Sequence, residues 1–190
     1  MTIGATEETM AITRTPNPFV LTLLTTPGSE TLRIENRELP AAIQVDETKN
    51  REVARFLGAG VQVYDCLGGV FKFREPQANL YDLDTLAQRV IHFATEPTRP
   101  NWADADGSRV VGNADPNSIV AVNAPPPFDP TKDVKWLRVP VFAKFGKGLF
   151  GNITFIQRVL TFGGQAPASC VADEVASVPY TALYIFWAPR

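Results

Sequence analysis

Two cysteines place the strongest constraint on what this chain can fold into. Cys66 ends the segment Gly-Val-Gln-Val-Tyr-Asp-Cys that starts at Gly60, where alternate residues share a face as they do in a strand. The only other cysteine, Cys170, lies near the far end of the chain. If the two are joined, early and late strands are neighbours in a closed β-structure. A loop of about a hundred residues closed in this way would favour folding by roughly 4 to 5 kcal/mol in the chain-entropy model.

Prolines and glycines divide the rest of the chain into short segments. The 16 prolines and 13 glycines recur at the spacing of turns, and β-branched and aromatic runs lie between them. We therefore expect an all-β fold: an antiparallel β-barrel or β-sandwich with long loops and at most one or two short helices. The predicted strands cover residues 19–24, 42–45, 60–66, 70–74, 89–94, 109–111, 119–122, 134–144, 149–161 and 180–187.

Three segments break this pattern. Residues 46–57 start with Asp46 as a candidate N-cap and precede Gly58, which predicts a single surface helix or an exposed loop. Residues 95–108 and 123–133 are rich in turn-forming residues and are predicted as long loops. By length the chain is one domain, with residues 1–15 as a disordered or extended arm and residues 16–190 as a single β domain.

Charge and hydropathy exclude two classes of partner. The formal net charge is −2 and the basic residues are scattered, so the sequence predicts no nucleic-acid binding. No stretch approaches the roughly 20 apolar residues of a membrane span. Residues 1–15 contain acidic residues and no apolar run, unlike a secretory signal. We expect either an intracellular protein or the mature form of an exported one with an added methionine.

One group of residues could carry chemistry. His92, the only histidine, lies in a strand-like run in which Val90, His92 and Ala94 share a face. A turn containing Asp106 and Ser108 follows. An imidazole, a carboxylate and a hydroxyl suffice for acid–base or nucleophilic catalysis if they converge. The simpler interpretation is a core histidine and an ordinary Asp-Gly-Ser turn.

A second group could bind a ligand. Gln62 and Tyr64 share a face with Cys66, and a buried Gln or Tyr needs polar partners, one of which Arg158 could supply. Trp102 could stack on a sugar ring. The alternatives are a structural hydrogen-bond network and a binding site.

The chain has few of the residues that hold a metal or a cofactor. Asp104 and Asp106 lack the spacing of a calcium loop, and a single histidine offers little for zinc. No Gly-x-Gly-x-x-Gly opens a helix after a strand, so no dinucleotide site is expected. The sequence predicts no cofactor and no metal, and leaves the oligomeric state open.

Motifs along the chain resemble those of a known family. They are Gly60 to Cys66, Phe-Arg-Glu-Pro-Gln-Ala-Asn-Leu at 73–80, His92, Trp102, Asp-Gly-Ser at 106–108, Trp-Leu at 136–137, Ile-Gln-Arg at 156–158, Thr-Phe-Gly-Gly at 161–164, Cys170 and Tyr180. The chain resembles uncharacterised proteins of bacteria, fungi and plants classed as a domain of unknown function, over about residues 20–187. Some fungal members carry a "malate dehydrogenase" label, which the missing dinucleotide motif does not support.

The resemblance implies a compartment and a covalent bond. Members usually look secreted, so it implies a secreted or periplasmic mature protein, with the cytoplasm as the alternative. It also favours a disulfide between Cys66 and Cys170.

Two functions from different classes follow from the sequence. One is a non-enzymatic extracytoplasmic β domain that binds a small molecule, a glycan or a surface component. The other is a cofactor-independent enzyme acting on a small organic molecule, with His92 as acid or base and Asp106 or Ser108 assisting.

Overall fold

Nine β-strands make up most of the computed structural model, which describes residues 34–95 and 99–190. The strands are β1 (Asn50–Leu67), β2 (Val70–Asp82), β3 (Gln88–Thr95), β4 (Arg99–Asp104), β5 (Arg109–Gly112), β6 (Val120–Val122), β7 (Trp136–Phe145), β8 (Phe155–Gly163) and β9 (Val175–Pro189). The helices of the described residues are three short 3-10 turns, Asn36–Glu38, Ala41–Ile43 and Leu149–Asn152. The predicted arm at residues 1–15 and the predicted strand at 19–24 lie outside the described residues.

The strands close into an eight-stranded antiparallel barrel. Their order is β5-β4-β3-β2-β1-β9-β8-β7, and β5 pairs with β7 to complete the ring. The short strand β6 pairs with the start of β7, outside the ring. The all-β prediction is confirmed, and of its two alternatives the barrel is the one that forms. Eight strands leave an interior that side chains fill or that holds one small ligand.

The longest strand, β1, overturns one prediction. Residues 46–57 form neither a helix nor an exposed loop: a single turn at 47–49, with two backbone amides bonded to the Asp46 carbonyl, leads directly into β1. From Phe56 to Asp65 both edges of β1 are paired, with β2 on one side and β9 on the other. The capping signal at Asp46 is therefore real but serves one turn, because sheet pairing outweighs weak local helix propensity.

Three other segments depart from prediction, one of them residues 149–152, which were predicted as the start of a strand and form a 3-10 helix. Residues 42–45 lie partly in the 3-10 helix Ala41–Ile43 and form no strand. The predicted loop at 95–108 contains β4, whose Trp102 pairs with His92 of β3 and with Val110 of β5. Turn-rich composition concealed this strand because its apolar and aromatic residues are few. The segment 123–133 is a loop, as predicted.

Strand β9 separates two layers of apolar side chains. Tyr180, Ala182, Tyr184 and Phe186 belong to the cluster inside the barrel. The alternate residues Leu183, Ile185 and Trp187 pack in a second cluster. Residues 34–49 and the loop at 123–133 cover that outer face, with Leu39, Ile43, Val45, Ala124 and Phe128. Both faces of β9 are thus buried, which explains its nearly continuous apolar sequence.

The disulfide is present. Cys66 at the end of β1 and Cys170 are bonded, with their Cα atoms 5.8 Å apart and a sequence separation of 104. The Cys66 amide also donates to the Glu174 carbonyl at 2.9 Å. The bond fastens the loop before β9 to the strand that pairs with β9.

Candidate binding site inside the barrel

His92 projects from β3 into the barrel, where aromatic rings surround it. Its ring stacks on Trp102, with centroids 4.4 Å apart and planes 6° from parallel. The edge of Tyr184 approaches at 5.4 Å. The Nδ1 atom lies 2.8 Å from the Asn101 carbonyl oxygen. Strand alternation predicted this facing, since Ile91 next to His92 points outward and is 46% exposed.

The burial of His92 fixes its charge. Loss of solvent lowers its pKa to about 3, and the Asn101 carbonyl opposes that shift only in part. The imidazole is therefore neutral near pH 7. A carbonyl can only accept, so the proton of the neutral ring sits on Nδ1 and Nε2 is left as an acceptor.

A cavity lies beside this ring stack. Its volume is about 110 Å³, and it is partly open to solvent. His92, Trp102, Tyr184 and Arg158 line it together with Phe73, which is 41% exposed. Its aliphatic wall is formed by Pro76, Pro100, Ile119, Leu137, Val139 and Ile156.

Arg158 of β8 brings a positive charge to this apolar space. One guanidinium nitrogen, Nη2, donates to the Lys135 carbonyl at 2.9 Å. The Nε atom is buried and has no hydrogen-bond partner within residues 34–95 and 99–190. Among the described residues, no carboxylate lies within ion-pair distance of this guanidinium. A half-buried cation without a counter-ion is costly, so this guanidinium is incompletely satisfied.

Two tyrosines connect Arg158 to the barrel centre. The Tyr180 and Tyr184 hydroxyls lie 2.9 Å apart. Burial raises the pKa of both phenols, and the Arg158 charge acts in the opposite direction on each. Gln62, 2% exposed, lies beside Tyr180, and its Nε2 has no partner. Both phenols are neutral at pH 7, so the guanidinium is the one charge among the described residues that line the cavity.

The other predicted ligand-binding residues divide into two groups. Trp102 and Arg158 line the cavity, whereas Gln62 and Tyr64 lie outside its wall. Tyr64 donates to the Gly164 carbonyl at 2.6 Å and packs near the disulfide. The role of all four in binding stays a prediction.

Asp106 and Ser108 lie at the turn between β4 and β5. Asp106 accepts hydrogen bonds from the Ser108 and Leu149 amides, at 2.8 and 2.7 Å. Ser108 Oγ accepts from the Phe150 amide at 3.0 Å. These bonds hold the 3-10 helix Leu149–Asn152 against the turn, and none of them reaches His92. Their catalytic role therefore stays a prediction without a shared contact to support it.

A comparison with protein families identifies the relatives of this chain. Residues 47–188 match a family model described as "Protein of unknown function (DUF3455)". The chain belongs to this family. No curated protein and no solved structure matches it. The predicted family resemblance is thereby confirmed, and the matched residues contain the eight strands of the DUF3455 barrel and β6, apart from the final Pro189.

The DUF3455 barrel offers neither a metal site nor a membrane helix in the part that the structure describes. No group of three or more His, Cys, Asp or Glu side chains is placed to hold a metal ion. Within residues 34–95 and 99–190, no helix has the length and apolar character to cross a membrane.

Sequence reasoning missed Tyr184, which lines the cavity, and Tyr180, whose hydroxyl lies 2.9 Å from that of Tyr184. Both belong to β9, where Tyr180, Ala182 and Tyr184 alternate on one face. That alternation was a usable signal, but it was hidden because the intervening residues of β9 are apolar too. The aliphatic residues of the wall could not be recognised from the sequence, since Ile119 and Leu137 are residue types found in any hydrophobic core.

Proposed function

We propose that this DUF3455 protein binds a small organic molecule inside its barrel, in the cavity beside His92 and Trp102. One observation carries the proposal. A partly open and mainly apolar cavity is lined by two residues, Arg158 and Trp102, whose side chains each carry a buried nitrogen, Nε and Nε1, without a hydrogen-bond partner among the described residues. Buried donors are nearly always satisfied, by protein or by something else. Pockets that bind small molecules combine an apolar wall with few polar groups in this way.

The size of the cavity favours a small molecule over a glycan or a surface component. Its volume of about 110 Å³ is close to the roughly 150 Å³ of an engineered apolar cavity that takes up benzene. A sugar would need several hydrogen bonds from a wall that offers mostly carbon.

The disulfide supports function in an oxidising compartment. The Cys66–Cys170 bond closes a loop that contains strands β2 to β8, and structural disulfides of this kind persist outside the cytosol. We therefore propose that the mature protein works in the secreted or periplasmic space.

A titration with single-ring probes tests the binding proposal. Benzene, phenol and benzoate are added to the full chain while the Trp102 indole resonance and the melting temperature are followed. We expect at least one probe to shift both saturably. Ile119→Trp, which fills the cavity from a half-buried position, is expected to abolish the response.

Ile91→Trp is the matched control, because Ile91 is exposed on the outer face of β3. It should leave binding unchanged. If no probe shifts the wild-type signals, or if Ile119→Trp binds as wild type does, the cavity is not a binding site. A native mass spectrum of protein from its own source shows independently whether a ligand is retained.

The enzyme hypothesis is the second candidate, and one observation favours it. His92 lines the cavity with an unprotonated Nε2, which could accept a proton. Its pKa of about 3, lowered by burial, argues for a weak base, because a general base works best with a pKa near the working pH. We therefore rank binding above catalysis.

A further inference from the structure

We infer that the ligand of this cavity is a small organic monocarboxylate, with its carboxylate on Arg158 and a body the size of one aromatic ring against Trp102 and Tyr184. The inference rests on the proposed function and adds the chemical class of the ligand. It depends on three properties of the wall: its charge, its hydrogen-bonding groups and its shape.

The described residues that line the cavity carry one positive charge, that of Arg158. Arg158 has no carboxylate partner among the described residues, and its buried Nε is free. The nearest titratable groups, His92, Tyr180 and Tyr184, are all uncharged at pH 7 because burial disfavours their charged forms. A monoanion would bring the interior to neutrality, whereas a cation would add to the repulsion.

The free hydrogen-bonding groups of the wall are mostly donors. Arg158 Nε–H and Trp102 Nε1–H, both buried, lack acceptors in the part of the chain that the structure describes, and Trp102 is only 2% exposed. A carboxylate has two oxygens and no donor, so it suits such a wall, and planar guanidinium groups pair with it especially well. A neutral alcohol or amide would satisfy these donors less strongly and would leave the charge uncompensated.

The shape of the wall limits the rest of the ligand. Trp102 and Tyr184 present aromatic surfaces, and aliphatic side chains close the remaining sides. A flat apolar body gains both burial and ring contacts there. The cavity volume of about 110 Å³ leaves room for one ring and not for a polycyclic molecule or a long chain.

Three probes at constant ionic strength test the inference on the full-length wild-type chain. Benzoate carries both the ring and the charge, benzamide carries the ring alone, and acetate carries the charge alone. We expect benzoate to bind about tenfold or more tighter than either, since hydrogen bonds to charged groups are about twice as strong as neutral ones. Binding is measured by calorimetry and by the indole signal of Trp102, which Trp102→Phe assigns among the three tryptophans of the chain.

Variants of Arg158 test whether this side chain causes the preference for a charged ligand. In Arg158→Gln, benzoate and benzamide should bind equally, whereas Arg158→Lys should keep a reduced preference because it retains charge without the planar fork. Arg99→Gln is the control: Arg99 is exposed and stacks on Phe142, 4.3 Å from the ring centre, and its loss should leave the preference intact. If Arg158→Gln does not fold, the wild-type comparison alone decides the question.

The outcomes separate this inference from the proposed function. Equal binding of benzoate and benzamide by wild-type protein would overturn the carboxylate inference and leave cavity binding in place. Equal binding of benzoate and acetate would overturn the requirement for a ring. If benzene, benzamide and benzoate all fail to bind, the proposed function fails as well.

Discussion

At the scale of single residues, His92 shows how surroundings decide what a side chain can do. The same imidazole would titrate near neutral pH on the surface. Between Trp102 and Tyr184 it is stacked, dehydrated and held by the Asn101 carbonyl, so it stays neutral. In the barrel it forms part of the cavity wall, as an aromatic ring with one hydrogen-bond acceptor, Nε2.

This burial predicts a pH-dependent stability. The pKa of His92 is about 3 in the folded protein and about 6.5 when unfolded. Its contribution is complete above pH 6.5 and is lost as pH falls towards 3, because only the unfolded chain takes up the proton in that interval. We expect the free energy of unfolding to fall by about 2 kcal/mol between pH 7 and pH 5.

Urea denaturation at pH 7, 6 and 5 measures this slope. His92 is the only histidine, so few other groups titrate in that interval. His92→Gln, which can still donate to the Asn101 carbonyl, is the control and should show a much flatter profile. An equal slope in wild type and variant would mean that His92 is not the source.

At the scale of secondary-structure elements, the pairing of β1 with β9 makes room for the site. Gly58 of β1 pairs with Ala182 of β9 and faces the ring of Tyr184. A Cβ atom at position 58 would lie 2.5 Å from Tyr184 Cε2, which is shorter than real contacts allow. Because Gly58 has no side chain, the Tyr184 ring can lie against β1 and border the cavity.

Gly58→Ala is expected to destabilise the fold. The added methyl group must displace the Tyr184 ring inside a packed barrel, and overpacking of this kind costs about 1 to 3 kcal/mol. Denaturant unfolding of Gly58→Ala, Tyr184→Leu and the double variant measures the coupling. The double variant should lose less stability than the sum of the two single variants, and strict additivity would show that the ring is not what position 58 contacts.

At the scale of the whole molecule, barrel closure depends on contacts distant in sequence. The ring is completed by β5 with β7, and the pairing of β1 with β9 joins the two ends of the domain. The disulfide reinforces that second closure, since Cys66 and Cys170 flank the β1–β9 ladder.

Reduction of the disulfide should therefore be costly. The bond closes a loop of 104 residues, and its removal is expected to lower the free energy of unfolding by roughly 2 to 5 kcal/mol. Melting in the presence and absence of dithiothreitol measures this effect. A variant with Cys66→Ala and Cys170→Ala is the control and should resemble reduced wild type in both conditions. A wild-type melting curve unchanged by the reductant would contradict the prediction.

The local sequence pattern was informative where a strand has one polar face or is bounded by turn-forming residues. The alternation at 60–66 and the inward facing of His92 could be predicted because side chains alternate in every strand. The helix prediction at 46–57 was wrong for a complementary reason. Val53, Phe56 and Leu57 match a helical spacing, but they lie in a strand that pairs on both edges, and no local pattern contains those partners.

The candidate site was predictable in part. Trp102 and Arg158 were identified from residue type and line the cavity, whereas the predicted Asp106 and Ser108 bond to the backbone of a neighbouring turn. Tyr184 was missed because β9 is buried on both faces and its alternation is masked by apolar residues.

The sequence by itself determined the all-β class and the candidate disulfide, because these depend on residue types and short-range periodicity, and its motifs carried the resemblance to the family. Only the tertiary structure decided between barrel and sandwich, and only it brought an unpaired arginine from β8 beside the stacked rings of β3 and β4. These decisions depend on which distant strands pair, and pairing is a property of the whole sheet that no single segment carries.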